Sequence, residues 1–142
     1  KLLIGDAWTD KDFKLASASL KKHNFAVDIE QIDLVRINDH LLNDRDFLLR
    51  LLENPNLLEH EVFTNLLFAI FHLMEELTAR GQLDNLPPSD LKHLAGDIDR
   101  SYNLLIDQWL DYMSHLKKDY AYLFSLALRT NPFNQNASPI VK

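Results

Sequence analysis

The chain has 142 residues, enough for one domain with its own interior, and its 46% hydrophobic and 25% charged residues are ordinary for a globular protein. A formal net charge of −6 argues against a nucleic-acid-binding or anionic-membrane-binding surface, since the largest basic cluster is only Lys21-Lys22-His23. With no cysteine, disulfides and thiolate metal sites are excluded.

Glycine occurs only at positions 5, 81 and 96 and leucine is abundant, so helix is favoured along nearly the whole chain. Thr9 followed by Asp12 forms a capping-box pattern that opens a helix running to about His23, with Asn24 as its stop. In "FAVDIEQIDLVRINDHLL" the alternation of Val27 and Ile29 suggests a short strand near residues 25–29. From Ile32 the spacing turns helical through Leu34, Ile37 and Leu41. Asp44 then serves as the cap of a short helix that "ENPN" ends at Pro55.

A fourth helix is predicted from about Leu57 to Arg80, with Gly81 beyond its C-terminus. Its run "LLFAIFHLM" is about half of the ~20 apolar residues that a bilayer span needs, and glutamates flank it, so it reads as a core helix. Pro88 and Ser89 open a long fifth helix. There Leu91, Ala95, Ile98, Tyr102, Leu105, Trp109, Tyr112 and Leu116 follow alternating steps of four and three, a heptad seam. Gly96 inside that helix costs ~1 kcal/mol relative to alanine, tolerable if another backbone approaches closely there. A last helix covers about Tyr120 to Arg129, and Asn131-Pro132 ends it. The expectation is an all-α, single-domain bundle of five to six helices over residues 1–130, with residues 131–142 as an extended tail.

The best metal-ligand pattern combines His72 and Glu76 on helix four with Asp107, Asp111 and His115 on helix five, since steps of four stack ligands on one helix face. Helical geometry opposes it. At about 100° per residue, Asp107 and Asp111 lie roughly 160° from Trp109 on the seam, and His115 about 120°. His72 lies about 120° from the stripe Val62, Leu66, Ile70, Leu73 and Leu77, which makes it a boundary residue. No metal ligand, catalytic residue or cofactor site is therefore assigned. G-x-S-x-G, P-loop and dinucleotide motifs are absent, which points away from an enzyme. Phe68 and Phe71 lie about 160° and 140° from the helix-four stripe and need a second packing partner. Either the helix is central in the bundle or these aromatics form a subunit contact.

Over "INDHLLNDRDFLLRLLENPNLLEHEVFTNLLFAIFHLMEEL" (37–77) and "WLDYMSHLKKDYAYLFSLALRTNPFNQNASPIV" (109–141), the chain resembles a soluble helical region of prokaryotic membrane proteins. Those proteins carry a two-helix pore of the potassium-channel type. The resemblance implies a non-enzymatic domain on the cytoplasmic side of the membrane. It would mediate assembly or regulation through self-association or other domains of its parent chain. A start at Lys1 rather than Met fits a membrane segment upstream. The alternative is a freestanding cytosolic helical protein that binds a partner helix or a small ligand.

Overall fold

The computed structural model describes residues 2–23 and 25–141. All regular structure among them is helical: α1 (Asp10–Lys22), α2 (Leu34–Asn43), α3 (Arg45–Leu52), α4 (Pro55–Leu58), α5 (Glu61–Arg80), α6 (Pro88–Asp119) and α7 (Ala121–Arg129), with a short 3-10 turn at Ile29–Gln31. The all-α expectation holds. The expected stop at Asn24 lies outside the described residues. The chain divides into two compact units rather than at residue 130: one is residues 24–105, and the other joins residues 1–23 to 106–142. The central stretch is thus inserted within the other unit, and α6 contributes residues to both.

Local chemistry explains most helix ends. The Thr9–Asp12 capping box forms, with the Thr9 backbone N–H and hydroxyl both donating to the Asp12 carboxylate at 2.7 and 2.6 Å. Those bonds hold the Asp12 carboxyl below its ordinary value, because they favour the charged form. Asp33 caps α2 by accepting from the Arg36 N–H. Asp44 makes no side-chain cap, contrary to expectation; it is the hinge residue between α2 and α3. Gly81 closes α5 at φ 67°, a conformation that costs glycine little. The predicted fourth helix is two. Pro55 and the Asn54 cap start α4, and extended backbone at His60 separates it from α5.

Residues 25–28 form no strand. Their backbone is satisfied instead by side chains of α6: Phe25 N–H donates to Asn103 Oδ1, Asn103 Nδ2 donates to the Phe25 carbonyl, and Val27 N–H donates to Asp99. Val27, Ile29 and Ile32 still turn inward, which is why the stretch alternates.

In the unit of residues 24–105, Leu34 of α2, Leu73 and Leu77 of α5 and Leu94 and Ile98 of α6 form the core. This cluster clamps α5 against the first part of α6. By length and composition α5 is apolar enough to cross a membrane, with a mean hydropathy of 1.3. Here Leu66, Leu67, Leu73, Met74 and Leu77 are buried, which is the behaviour of a core helix. Its other side is open: Phe68 is 57% exposed and Val62 is exposed too, so α5 is not buried on most sides. Phe71 is half-buried and lines a groove with Leu42, Leu49 and Met74.

In the other unit, Leu2, Ile4, Phe13, Ile106, Leu110, Met113, Leu116 and Phe124 make the core, with edge-on Trp8–Phe13 and Trp109–Phe133 pairs around it. Asn131 is more than a helix stop. Fully buried, it donates from Nδ2 to the Leu2 carbonyl and accepts from the Phe133 N–H. The following residues form turns, and Arg129 donates to the Pro139 carbonyl, so the expected extended tail folds back on α7.

The seam of α6 differs from the predicted heptad. Tyr102, Leu105 and Tyr112 are exposed, whereas Leu94, Asp97, Ile98 and Ser101 are buried in one unit and Ile106, Leu110, Met113 and Leu116 in the other. One continuous stripe was the wrong template because each unit buries its own set. At Gly96 an added Cβ would meet open space, so no close backbone approach explains that glycine.

Candidate metal centre

Packing Leu73 and Leu77 against Leu94 and Ile98 fixes the register between α5 and α6. Beside this apolar clamp, each helix presents one imidazole and, one turn later, one carboxylate: His72 and Glu76 from α5, His93 and Asp97 from α6. A four-residue step stacks both side chains of a pair on one face. One donor atom from each residue can be chosen so that all four lie within 4.8 Å of one another.

Asp97 is the centre of the group. It is only 3% exposed, and its Oδ2 has no hydrogen-bond partner among the described residues. Two imidazole nitrogens are nevertheless close: His72 Nε2 at 3.3 Å and His93 Nε2 at 3.4 Å. Both lie at ion-pair distance without the alignment of a hydrogen bond. His93 Nε2 is also 3.5 Å from Glu76 Oε2, and His72 Nε2 is 3.8 Å from Glu76 Oε1. Neighbouring ligands of a tetrahedral cation with ~2.05 Å bonds stand ~3.3 Å apart. The separations of 3.3 and 3.4 Å from Asp97 Oδ2 match that edge, while Glu76 approaches the two imidazoles through different oxygens, Oε2 at 3.5 Å and Oε1 at 3.8 Å. Buried carboxylate oxygen with no donor is costly, and a cation between these groups would compensate it.

Arginines surround the group. Arg80 donates through Nη1 to Glu76 Oε2 at 2.6 Å, and through Nε and Nη2 to Asp90 at 2.7 and 2.6 Å. The Arg80 hydrogen bond, opposed by partial burial, holds the Glu76 carboxyl below its ordinary value. Arg80 does the same for Asp90, and the Asp90 and Glu76 carboxylates in turn raise the guanidinium further above its usual range. Arg100 Nη1 donates to Asp97 Oδ1 at 3.1 Å. Ser101 Oγ, one turn after Asp97, is also buried and unpartnered among the described residues.

The sequence pattern contained half of this constellation. His72 and Glu76 belong to it; Asp107, Asp111 and His115 do not. Asp107 accepts from Ser17 at 2.5 Å and pairs with Lys21 at 3.7 Å, while His115 pairs with Asp119 at 3.0 Å. The other half, His93 and Asp97, was not singled out, although its His-x-x-x-acid spacing repeats that of His72 and Glu76 on the next long helix. That repetition was the available signal.

The profile of the family described as "Uncharacterized protein MJ1433, C-terminal helical domain" matches residues 1–129. A similar protein, "Uncharacterized protein MJ1433" from Methanocaldococcus jannaschii, is 52% identical over 141 residues, which cover 99% of this chain. The chain spans only 57% of the length of that relative. Neither description names a channel, a membrane or a partner. No solved structure matches the chain. With nearly its whole length matched, the chain belongs to the family of MJ1433 C-terminal helical domains.

Proposed function

We propose that the unit of residues 24–105 binds one divalent transition-metal cation through His72, Glu76, His93 and Asp97, and that binding, not catalysis, is its role. The observation that carries the reading is the buried, unpartnered Asp97 Oδ2, which faces two imidazoles at 3.3 and 3.4 Å. Two imidazoles with carboxylates suit zinc, iron or nickel, and are a poor match for calcium or magnesium, which prefer all-oxygen shells. Four protein ligands close a tetrahedral shell, whereas catalytic zinc sites keep a position for water. This favours a cation that clamps α5 to α6 and switches the stability of the unit. Such a switch fits a regulatory or assembly domain, and attachment to a channel-type membrane protein gains no support from the comparisons.

The test is direct. Protein stripped with a chelator should take up one zinc per chain in an equilibrium titration, and the His93→Ala variant should take up none at the same concentration. At a free zinc level of ~100 Kd the thermal midpoint should rise by on the order of 10 °C, the equivalent of about 2.7 kcal/mol of binding linkage. Failure to bind stoichiometric zinc, iron or nickel would remove the reading.

A further inference from the structure

We infer that Arg80 and Arg100 restrict each carboxylate of this site to one ligating oxygen, fixing the coordination number at four and selecting a zinc-type cation over manganese; this rests on the metal-binding reading above. A carboxylate free on both oxygens can chelate and raise the coordination number, the habit that larger, harder cations exploit. Here each carboxylate has one oxygen occupied. Glu76 Oε2, although 3.5 Å from His93 Nε2, accepts from Arg80 at 2.6 Å, which leaves Oε1, 3.8 Å from His72 Nε2, as its ligating oxygen. Asp97 Oδ1 accepts from Arg100 at 3.1 Å, which leaves Oδ2 toward both imidazoles. In both cases the guanidinium comes from the next turn of the same helix, four residues after Glu76 and three after Asp97.

Arg80 is itself anchored. Its two bonds to Asp90 leave the side chain 17% exposed and hold the planar fork in one orientation. Arginine suits this role because it keeps its charge at any working pH, so it neither ligates the cation nor leaves the carboxylate. The resulting donor set, two neutral imidazoles and two single oxygens, carries two negative charges against the two positive charges of the cation. Manganese, which favours more oxygen donors, would be left short of ligands. Arg80 and Arg100 are thus positioning residues: they act on the cation only through the carboxylates.

Cobalt(II) reports this geometry, because its visible bands are intense at four-coordination and weak at six. The whole 142-residue chain should bind one cobalt with intense bands. The Arg100→Ala and Arg80→Met variants should still bind cobalt, but with weakened bands, and their preference for zinc over manganese should fall roughly tenfold, the scale of outer-shell effects on metal sites. Stoichiometric cobalt with weak bands in the unmodified chain would overturn the inference while leaving metal binding intact. So would variants that keep both the intense bands and the zinc preference. Absence of any bound cobalt or zinc defeats the underlying reading instead. If circular dichroism shows that the Arg80 variant loses its fold, Arg100→Ala decides alone, since that side chain is 59% exposed.

Discussion

The two units carry similar ingredients and use them differently. Residues 24–105 hold two His-x-x-x-acid pairs on α5 and α6; residues 106–119 hold Asp107, Asp111, His115 and Asp119, also in steps of four. In the first unit the pairs come from two helices clamped by Leu73, Leu77, Leu94 and Ile98, so they converge on a common point. In the second they come from one helix and disperse: Asp107 goes to Ser17 and Lys21, and His115 to Asp119. Helical spacing makes pairs. A site arises only where packing presents two pairs to each other.

Core truncations should separate the units most sharply. Leu77→Ala and Leu110→Ala each empty a fully buried position and should cost ~2–5 kcal/mol in chemical denaturation. Only Leu77→Ala, beneath the His72–Glu76 pair, should also weaken zinc binding, by about tenfold. Leu110→Ala should leave a stoichiometry near one, since no ligand comes from its unit. Equal loss of binding in both variants would break the contrast.

Asp97→Asn should change sign with the metal. Without a cation it relieves an uncompensated buried oxygen and should stabilise by about 1 kcal/mol. With zinc in excess it should melt below the unmodified protein, having lost most of the binding linkage of about 2.7 kcal/mol at 100 Kd. Equal destabilisation with and without zinc would mean that Asp97 serves the fold alone.

Phe68→Ser tests the open side of α5. With the ring more than half in solvent, the substitution should alter stability by no more than about 0.5 kcal/mol. Sedimentation of both forms then decides whether this aromatic makes a subunit contact: if it does, the unmodified chain associates and the variant does not.

The smallest effect belongs to the unit without the site. Burial, with Asp107 adding to it and Lys21 opposing, pushes the Asp111 carboxyl above its ordinary value. The folded chain therefore binds this proton more tightly than the unfolded chain, and stability falls as pH rises from the unfolded value through the raised one. Above that window the cost is present in full. Asp111→Asn should thus raise the melting midpoint slightly at pH 7, with the gain gone by about pH 3, where both states are protonated.

What the sequence revealed was whatever local chemistry decides. The Thr9–Asp12 box, the Gly81 terminus and the long helix from Pro88 are set within a few residues, and all are legible. The strand expected near residues 25–29 failed because Asp99 and Asn103, more than seventy residues away, take over the backbone bonding. The cluster of His72, Glu76, His93 and Asp97 was half legible for a related reason. His72 and Glu76 stood out by spacing, but the heptad seam through Tyr102, Leu105 and Tyr112 placed the buried face of α6 wrongly. Once Leu94, Ile98 and Ser101 are known to face inward, Asp97 follows, with His93 one turn before it.

X-ray absorption at the zinc edge, on protein loaded with one zinc per chain, tests the account most directly. It predicts four light-atom ligands at ~2.0–2.1 Å, with the outer-shell scattering of two imidazole rings. A shell of six oxygens without imidazole scattering, the signature of a hydrated ion held loosely on an acidic surface, would contradict it.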